Sequence, residues 1–264
     1  MIMTTFPTVY VSHGSPMVML TKTPAHDFLA GFGRELGKPK AIVIATAHFT
    51  TRRPVLTGDA HPEMIYDFGG FPQPLFEMQY PAPGSPELAI RGAQLLVDAG
   101  IDALPVQGRG FDHGTWVPLK LMYPDADIPV VQVAVQPGMS VEHHVKMGRA
   151  LAPLREEGIL IMGSGSVTHN LYELMKSPRI IDAPVPDWVS GFGNWVHDRV
   201  EAGDLDDLTH YRERGPFAKE NHPSEEHYLP LPLAMAAAGE GAKGKRVHTS
   251  GEYGLLMMDA YAFG

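Results

Sequence analysis

Short runs of apolar, β-branched residues alternate along this chain with segments of helical periodicity. This alternation predicts strands that share one sheet, with the intervening helices packed on both of its faces. The 264 residues suit one large domain, and neither an internal repeat nor a long linker divides them. We therefore predict a single α/β domain over residues 1–264, with a central mixed, mostly parallel sheet flanked by helices on both faces.

Individual elements can be assigned from periodicity and from residues that cap or end helices. The predicted strands are 8–11, 41–45, 129–135, 158–162 and 254–260, with a weaker one at 103–106. The predicted helices are 86–99, 117–122, 141–157, 167–176, 186–203 and 226–238. The helix at 86–99 is the clearest, because Ser85 can cap it and Gly100 can end it. The segments 57–83 and 215–224 are predicted to be long surface loops, which are often functional.

The absence of cysteine narrows the chemistry that this chain can perform. With no cysteine there is no disulfide, no thiolate nucleophile, no zinc finger and no iron–sulfur cluster. Any metal ion must therefore be held by histidine nitrogens and carboxylate oxygens.

Charge and hydropathy exclude two classes of partner. The net charge is −9 and lysines and arginines do not cluster, so we expect no nucleic-acid partner. No apolar stretch approaches the ~18 residues that a membrane span needs. The first residues also lack the basic and apolar regions of a signal peptide. The expectation is a cytoplasmic protein that does not enter a membrane.

Five of the 13 histidines stand at positions that suggest a shared site. His13, His48 and His169 each follow a predicted strand, and the carboxyl ends of such strands are where open α/β sheets bind ligands. Imidazoles that reach one edge from separate strands can converge on a single ion. His113 lies in a glycine-punctuated segment, and His227 follows the sequence NHPSEE.

Imidazole ligands suit iron, zinc, copper and nickel, and a third ligand on the same side leaves positions open for substrate. Spacing alone does not choose among Glu225, Glu226 and His227 for that third ligand. His222 is a further candidate for positioning substrate. The remaining histidines are predicted to be solvated side chains: His26, His61, His143, His144, His197, His210 and His248.

Several longer motifs carry a family resemblance. They are VSHGSPM at 11–17, ATAHF at 45–49, IYDFGGFPQPLFEMQYPAPGSPELA at 65–89, GFDHGTWVPLKLMYPDADIPVVQV at 110–133, GSGSVTHNL at 163–171 and PSEEHYLPL at 223–231. In content, order and spacing these segments resemble the LigB-type class III extradiol ring-cleavage dioxygenases, and within them the 4,5-DOPA dioxygenase extradiol branch. They are spread over most of the chain, and the DFGGFP and DHGTWVPL blocks are the most specific.

The resemblance implies a non-haem Fe(II) site that opens a catechol ring beside its hydroxyls, with O2, to give a semialdehyde. By motif, His13, His48 and His227 match metal ligands, and His169 matches the acid/base histidine and is a possible fourth ligand. His113 matches a catalytic histidine that lines the substrate pocket. Zn(II) accepts the same ligands and can occupy such a site in isolated protein.

The substrate-binding residues are expected to come partly from the long loop. Tyr66, Phe68, Phe71 and Tyr80 either pack on the aromatic substrate or anchor the loop to the core. Together with His113 and His222, Tyr66 and Phe71 are the predicted substrate contacts.

Two other functions compete with a dioxygenase. A Zn(II) hydrolase would use the same histidines to activate water. A non-catalytic binding protein similar to the Memo family would share the fold, but the complete histidine set and the DFGGFP loop favour the enzyme. A homo-oligomer is left open, because the apolar positions of 186–203 face either the core or a second copy.

Overall fold

A computed structural model describes residues 5–264, so residues 1–4 of the predicted domain lie outside the described part. The strands are β1 (Thr8–Ser12), β2 (Ala41–Thr50), β3 (Val55–Thr57), β4 (Leu104–Val106), β5 (Val130–Val135), β6 (Ile159–Gly165), β7 (Gly244–His248), β8 (Gly251–Glu252), β9 (Leu256–Met257) and β10 (Ala260–Phe263). The α-helices are α1 (Pro24–Leu36), α2 (Pro74–Glu77), α3 (Pro86–Asp98), α4 (His113–Met122), α5 (Val141–Leu151), α6 (Leu171–Lys176), α7 (Asp187–Ala202), α8 (Leu205–Thr209), α9 (Tyr211–Arg214), α10 (Ala218–Asn221) and α11 (Pro230–Ala237). Two 3-10 helices cover Pro16–Met19 and Ala152–Glu157.

Eight strands form one sheet in the order β4-β3-β5-β2-β6-β1-β10-β7. The four central strands β5, β2, β6 and β1 run parallel, whereas β10 pairs antiparallel with both β1 and β7. At the other edge, β3 pairs antiparallel with β5 and parallel with β4. The predicted mixed, mostly parallel sheet is thus confirmed.

Helices cover both faces of this sheet, as the buried central strands require. Alternate residues of β2 enter different cores: Val43 packs with α3, α5, α7 and α11 on one face, while Ile42 and Ile44 pack with α1 and α4 on the other. Helix α11 is buried all round because it lies against both β6 and α5. Within residues 5–264, no helix combines the length and the apolar character that crossing a membrane would require.

Two glycines of β6 allow one element of the site to approach the sheet closely. A Cβ on Gly165 would lie 2.1 Å from the backbone oxygen of His227, and one on Gly163 would lie 2.3 Å from that of Pro230. The glycines of the GSGS sequence therefore serve close packing of the 227–230 backbone on the sheet, in addition to ending the strand.

Several element boundaries differ from the sequence prediction. β2 runs to Thr50 instead of ending at 45, because its pairing with β5 resumes at Thr50 after an irregular stretch. α4 begins at His113 instead of 117, since Asp112 caps it by accepting a hydrogen bond from the Thr115 amide.

Other differences lie near the carboxyl terminus and in the loops. The predicted strand at 254–260 is wrong: that segment holds a turn, the short β9 and the first residue of β10, which is the C-terminal strand of the sheet. The helices predicted to begin at 167 and 226 begin at Leu171 and Pro230. α1, β3 and β7 were not predicted, although Thr23 and Pro24 are a good helix start. The loop at 57–83 holds β3's last residue and the short α2, and the loop at 215–224 holds α10.

Candidate metal centre

The five singled-out histidines meet at the carboxyl-end rim of the parallel strands. His13 follows β1 directly, and His48 lies within β2, beyond the last residue of β2 that pairs with β6. His113 is the first residue of α4, His169 lies between β6 and α6, and His227 precedes α11. Sheet topology thus delivers residues more than 200 positions apart in sequence to one place.

Three of these rings form a nearly equilateral triangle. The ring centroids of His13 and His48 are 5.0 Å apart, those of His48 and His227 are 4.9 Å apart, and those of His13 and His227 are 5.4 Å apart. His113 lies against His48 at 3.9 Å, and His169 stacks on His227 at 3.5 Å. These three are the predicted metal ligands, but a possible ligand nitrogen of His113 also lies within 4.8 Å of one from His13 and one from His48.

Neighbouring side chains fix which nitrogens of this triangle carry protons. Ser164 donates its hydroxyl to the Gly114 carbonyl, so it accepts from Nδ1 of His13, which is 3.0 Å away. Nδ1 of His48 lies 3.4 Å from a carboxylate oxygen of Asp67, which can only accept. Both rings therefore keep a bare Nε2, as metal-binding histidines do when their other nitrogen is held by a hydrogen-bond partner.

The two bare Nε2 atoms are 3.1 Å apart. With no proton between them their lone pairs repel each other, and a shared cation would remove that repulsion. Two nitrogens that each lie about 2.1 Å from one ion are about 3.0–3.4 Å apart at ordinary coordination angles. The Nδ1 atom of His227 is buried without a hydrogen-bond partner, and the nearest carboxylate oxygen, from Glu226, is 3.5 Å away. The donor set therefore fits a metal ion that prefers imidazole ligands.

The carboxylates near His227 differ in their availability. Glu225 is bound by Arg212, whose Nε lies 2.6 Å from it, and by the Tyr211 hydroxyl at 3.2 Å. Glu226 forms a compact group with His169 and His227, in which one possible ligand atom of each lies within 4.8 Å of the others. Glu225 is thus turned away from the site, and Glu226 is the carboxylate that borders it.

Burial keeps the candidate ligands neutral. The pKa values of His13, His48 and His227 fall well below the ordinary value, first because burial disfavours the charged form and then because neighbouring imidazoles oppose it. Neutral imidazoles bind a metal without first losing a proton. Burial also lowers the pKa of His169 to about 4, although Glu226 opposes the shift.

Asp67 joins His48 and His113 from the long loop. Its carboxylate accepts from Nδ1 of His113 at 2.9 Å and from the His113 amide at 3.0 Å. Burial raises the pKa of Asp67, but these hydrogen bonds and the nearby imidazoles outweigh it and bring the value to about 2. Asp67 belongs to the DFGGFP block, yet nothing in its spacing from His113 identified it as a site residue.

A second carboxylate, that of Asp112, stabilises the backbone around His48 and His113. Asp112 is fully buried and accepts from Thr46 at 2.9 Å and from Arg109 at 3.0 Å. The same guanidinium nitrogen of Arg109 lies 3.0 Å from the His48 backbone oxygen, to which it donates. This network ties β2 to the start of α4, and its members were not identified from the sequence.

The histidines open into a cavity of 730 Å³. Its lining includes all five rings, the aromatic side chains of Phe68 and Phe71, and the apolar side chains of Met17, Leu171, Leu174, Met175 and Leu256. Volumes of this size accommodate ligands of drug-like dimensions. Phe71, one of the predicted substrate contacts, is among the lining residues.

Two of the predicted substrate contacts do not reach this cavity. Tyr66 is instead an anchor of the loop, because its hydroxyl donates to the Met78 carbonyl at 2.7 Å and its ring packs against Trp116. His222 is fully buried behind the site, with Nε2 donating to the Val167 carbonyl at 2.8 Å. Tyr80, named as an alternative, is also buried and absent from the lining.

One histidine predicted to be solvated is wholly buried. His144 in α5 accepts from the Gln136 amide through Nε2 at 3.0 Å and donates to the Ser140 carbonyl through Nδ1 at 2.9 Å. His143 beside it is partly buried and lies 3.1 Å from the Gln136 side chain. These two histidines connect the end of β5 to the start of α5, and neither lines the cavity of the metal centre.

Comparison with known proteins agrees with this geometry. The family model described as the catalytic LigB subunit of aromatic ring-opening dioxygenase matches residues 7–264. The chain therefore belongs to the LigB family of aromatic ring-opening dioxygenases.

Similar proteins indicate the branch of this family to which the chain is related. It is 41% identical to a 4,5-DOPA dioxygenase extradiol of Beta vulgaris, over 97% of this chain and 96% of that one. It is 39% identical to the protein of the same name from Escherichia coli K12, over 97% and 93%. A solved structure of an uncharacterized protein from Escherichia coli K12 superposes with a TM-score of 0.79 at 34% identity, over 98% of this chain and 100% of that one. The predicted resemblance to the DOPA dioxygenase branch is thus confirmed.

Proposed function

We propose that this protein is a non-haem Fe(II)-dependent extradiol dioxygenase that opens the ring of a catechol, DOPA or a related dihydroxyphenyl compound, with O2 to give a semialdehyde. The observation that carries the proposal is the triangle of His13, His48 and His227, with two bare nitrogens 3.1 Å apart, at the inner end of a cavity with aromatic walls. The chain acts as one catalytic domain, since its site draws on residues from β1 to the loop before α11.

His13, His48 and His227 would hold the metal, and His169 is the candidate for a fourth ligand in the absence of substrate. When bound, Fe(II) supplies the Lewis acidity and the electron transfer that join a catechol to O2. Zn(II) fits the same nitrogens and lacks redox chemistry, so zinc-filled protein is expected to be inactive.

His169 is the proposed acid/base residue. Burial lowers its pKa to about 4, so the ring is neutral near pH 7 and can accept a proton, although it is a weaker base than an ordinary histidine with a pKa of about 6.5. The negative charge of Glu226 favours the protonated form once the proton has been taken up.

His113 is the proposed partner of a substrate oxygen. Asp67 accepts from its Nδ1, which fixes the ring orientation and leaves Nε2 as the remaining polar atom. Phe68 and Phe71 line the same cavity and would pack on the aromatic ring while excluding water.

The test is turnover of a catechol after anaerobic loading with Fe(II). The expected result is O2 uptake with a yellow ring-opened product from DOPA, caffeate or protocatechuate. Zinc-loaded protein is the matched control and should take up no O2. Absence of O2 uptake with all three compounds would overturn the assignment, and activity that requires Zn(II) but not O2 would identify a hydrolase.

A further inference from the structure

The charged residues that line the cavity lie at different depths. Besides the histidines, its charged lining residues are Asp67, Glu226 and Arg179. Asp67 and Glu226 lie among the buried rings, where they contact His113 and His227. Arg179 is exposed and therefore lies at the open end. Arg179 is thus the one lysine or arginine among the described residues that line the cavity, and it stands at the mouth.

Arg179 has no acidic partner. No carboxylate of residues 5–264 lies within 4.0 Å of its guanidinium, and that group makes no hydrogen bond within the same range. Two other arginines near the site already have carboxylate partners: Arg212 pairs with Glu225, and Arg109 pairs with Asp112. A free guanidinium on the wall of a cavity is available to a ligand, and its planar set of donors matches a carboxylate.

The backbone holds Arg179 in an uncommon conformation. Its φ is 53°, in the left-handed region that non-glycine residues seldom adopt. Tyr253, with a φ of 57°, lines the same cavity, and its amide donates to the Ile181 carbonyl at 2.8 Å. That hydrogen bond ties the segment of Arg179 to the β8–β9 turn. Such strain is typical of residues that the surrounding structure holds in place for a function.

Tyr253 lines the same cavity as Arg179. Burial raises the pKa of the Tyr253 phenol, and the positive charge of Arg179 opposes that rise. Both residues line the cavity, so its wall carries a cation and a phenol contributed by these two segments. An anionic group on a ligand that reaches the mouth would be attracted to the guanidinium of Arg179.

We propose that Arg179 is the specificity residue that selects catechols whose side chain ends in a carboxylate, by pairing with that carboxylate at the mouth while the ring lies among the histidines. This assignment rests on the function proposed above. It also sets the orientation of the substrate, since the hydroxyls face the inner end and the side chain points outward.

The test compares an acid with its neutral analogue in binding and in turnover. Dihydroxyphenylpropionate and its primary amide have the same length and differ in charge. Dissociation constants are measured anaerobically by calorimetry on Fe(II)-loaded wild type, Arg179→Gln and Lys176→Gln. Lys176 is the matched control because it is a cation of the same segment that lies outside the cavity, over the Tyr172 ring and 3.0 Å from Glu173.

In wild type and in Lys176→Gln we expect the acid to bind about tenfold more tightly than the amide, the scale of one partly exposed charge-assisted hydrogen-bonded pair. In Arg179→Gln the two should bind equally, with the amide unchanged, and kcat/KM should follow the same pattern. Equal affinities in wild type, no measurable binding of the acid, or a preference that survives Arg179→Gln would overturn the proposal. Discrimination in binding without ring opening would instead overturn the dioxygenase and leave the role of Arg179 standing.

Discussion

His13 of the metal centre and His144 are both buried, but their nitrogens are in different states. Burial lowers the pKa of His144 to about 4, as it lowers those of His13 and His48. Both nitrogens of His144 are satisfied by backbone groups, whereas His13 and His48 direct bare nitrogens at each other. Neither burial nor a depressed pKa therefore marks a functional histidine here. What distinguishes His13 and His48 from His144 is that their two bare nitrogens face each other 3.1 Å apart.

Removing one ring of the triangle should have the largest effect. In His13→Ala we expect bound metal to fall to background and kcat/KM to fall more than about 10³-fold, because the Lewis acid that supplies several kcal/mol of transition-state stabilisation is lost. The measurements are metal content by mass spectrometry and O2 uptake. His61→Ala, at an exposed histidine, is the control and should match wild type. Retention of one tightly bound metal per chain by His13→Ala would contradict the triangle.

Removing His169 should show that this residue has a different role from the three histidines of the triangle. His169→Ala should lower kcat by about 10²–10⁴-fold, the range typical of a lost acid/base group. Most of the metal should stay bound, because His169 stacks on His227 and lies outside the triangle. Metal content and turnover are measured on the same sample, with added imidazole as a rescue. Complete loss of metal would make His169 a required ligand.

The sequence predicted which histidines converge, but not the direction of side chains in loops. The convergence of His13, His48 and His169 followed from strand ends alone, because parallel strands place those ends at one rim. The direction of a side chain in a loop does not follow in this way. Nothing in the spacing of His222 and Tyr66 indicated that one donates to Val167 and the other to Met78.

The supporting residues were missed for a related reason. Asp67 holds His113 from 46 positions away, and Ser164 holds His13 from 151 positions away. Such pairs depend on tertiary packing, which local patterns do not encode. The GSGS glycines were visible, but only the approach of the His227 backbone shows what they make room for. His144 looked solvated because its segment is polar, although helical periodicity turns it toward the end of β5.

Truncating His144 should affect stability and leave the metal centre intact. His144→Ala removes the acceptor of the buried Gln136 amide and the donor to Ser140. Because an unsatisfied buried group costs about 1–3 kcal/mol, we expect the free energy of unfolding to fall by about 2 kcal/mol or more. Denaturant titration measures this loss, and metal content should equal that of wild type. Loss of metal at unchanged stability would show that the two regions are not separate.

The smallest effect we predict is the dependence of stability on pH that His144 contributes. Its pKa is about 4 in the folded protein and about 6.5 in the unfolded chain, so between these values the unfolded chain binds more protons. Its contribution is therefore full above pH 6.5 and is lost as the pH falls toward 4. Between pH 7 and pH 5 this amounts to about 2 kcal/mol.

The His144→Gln variant tests this contribution, because glutamine offers an acceptor and a donor that do not titrate. Its free energy of unfolding should therefore fall by about 2 kcal/mol less than that of wild type between pH 7 and pH 5. Both proteins are compared in the metal-free state by denaturant titration, so that the shared titration of the metal-centre histidines cancels in the difference. An identical decline in the two proteins would mean that His144 exchanges no protons on unfolding in this range, and the contrast between a satisfied and an unsatisfied buried histidine would then lose its energetic basis.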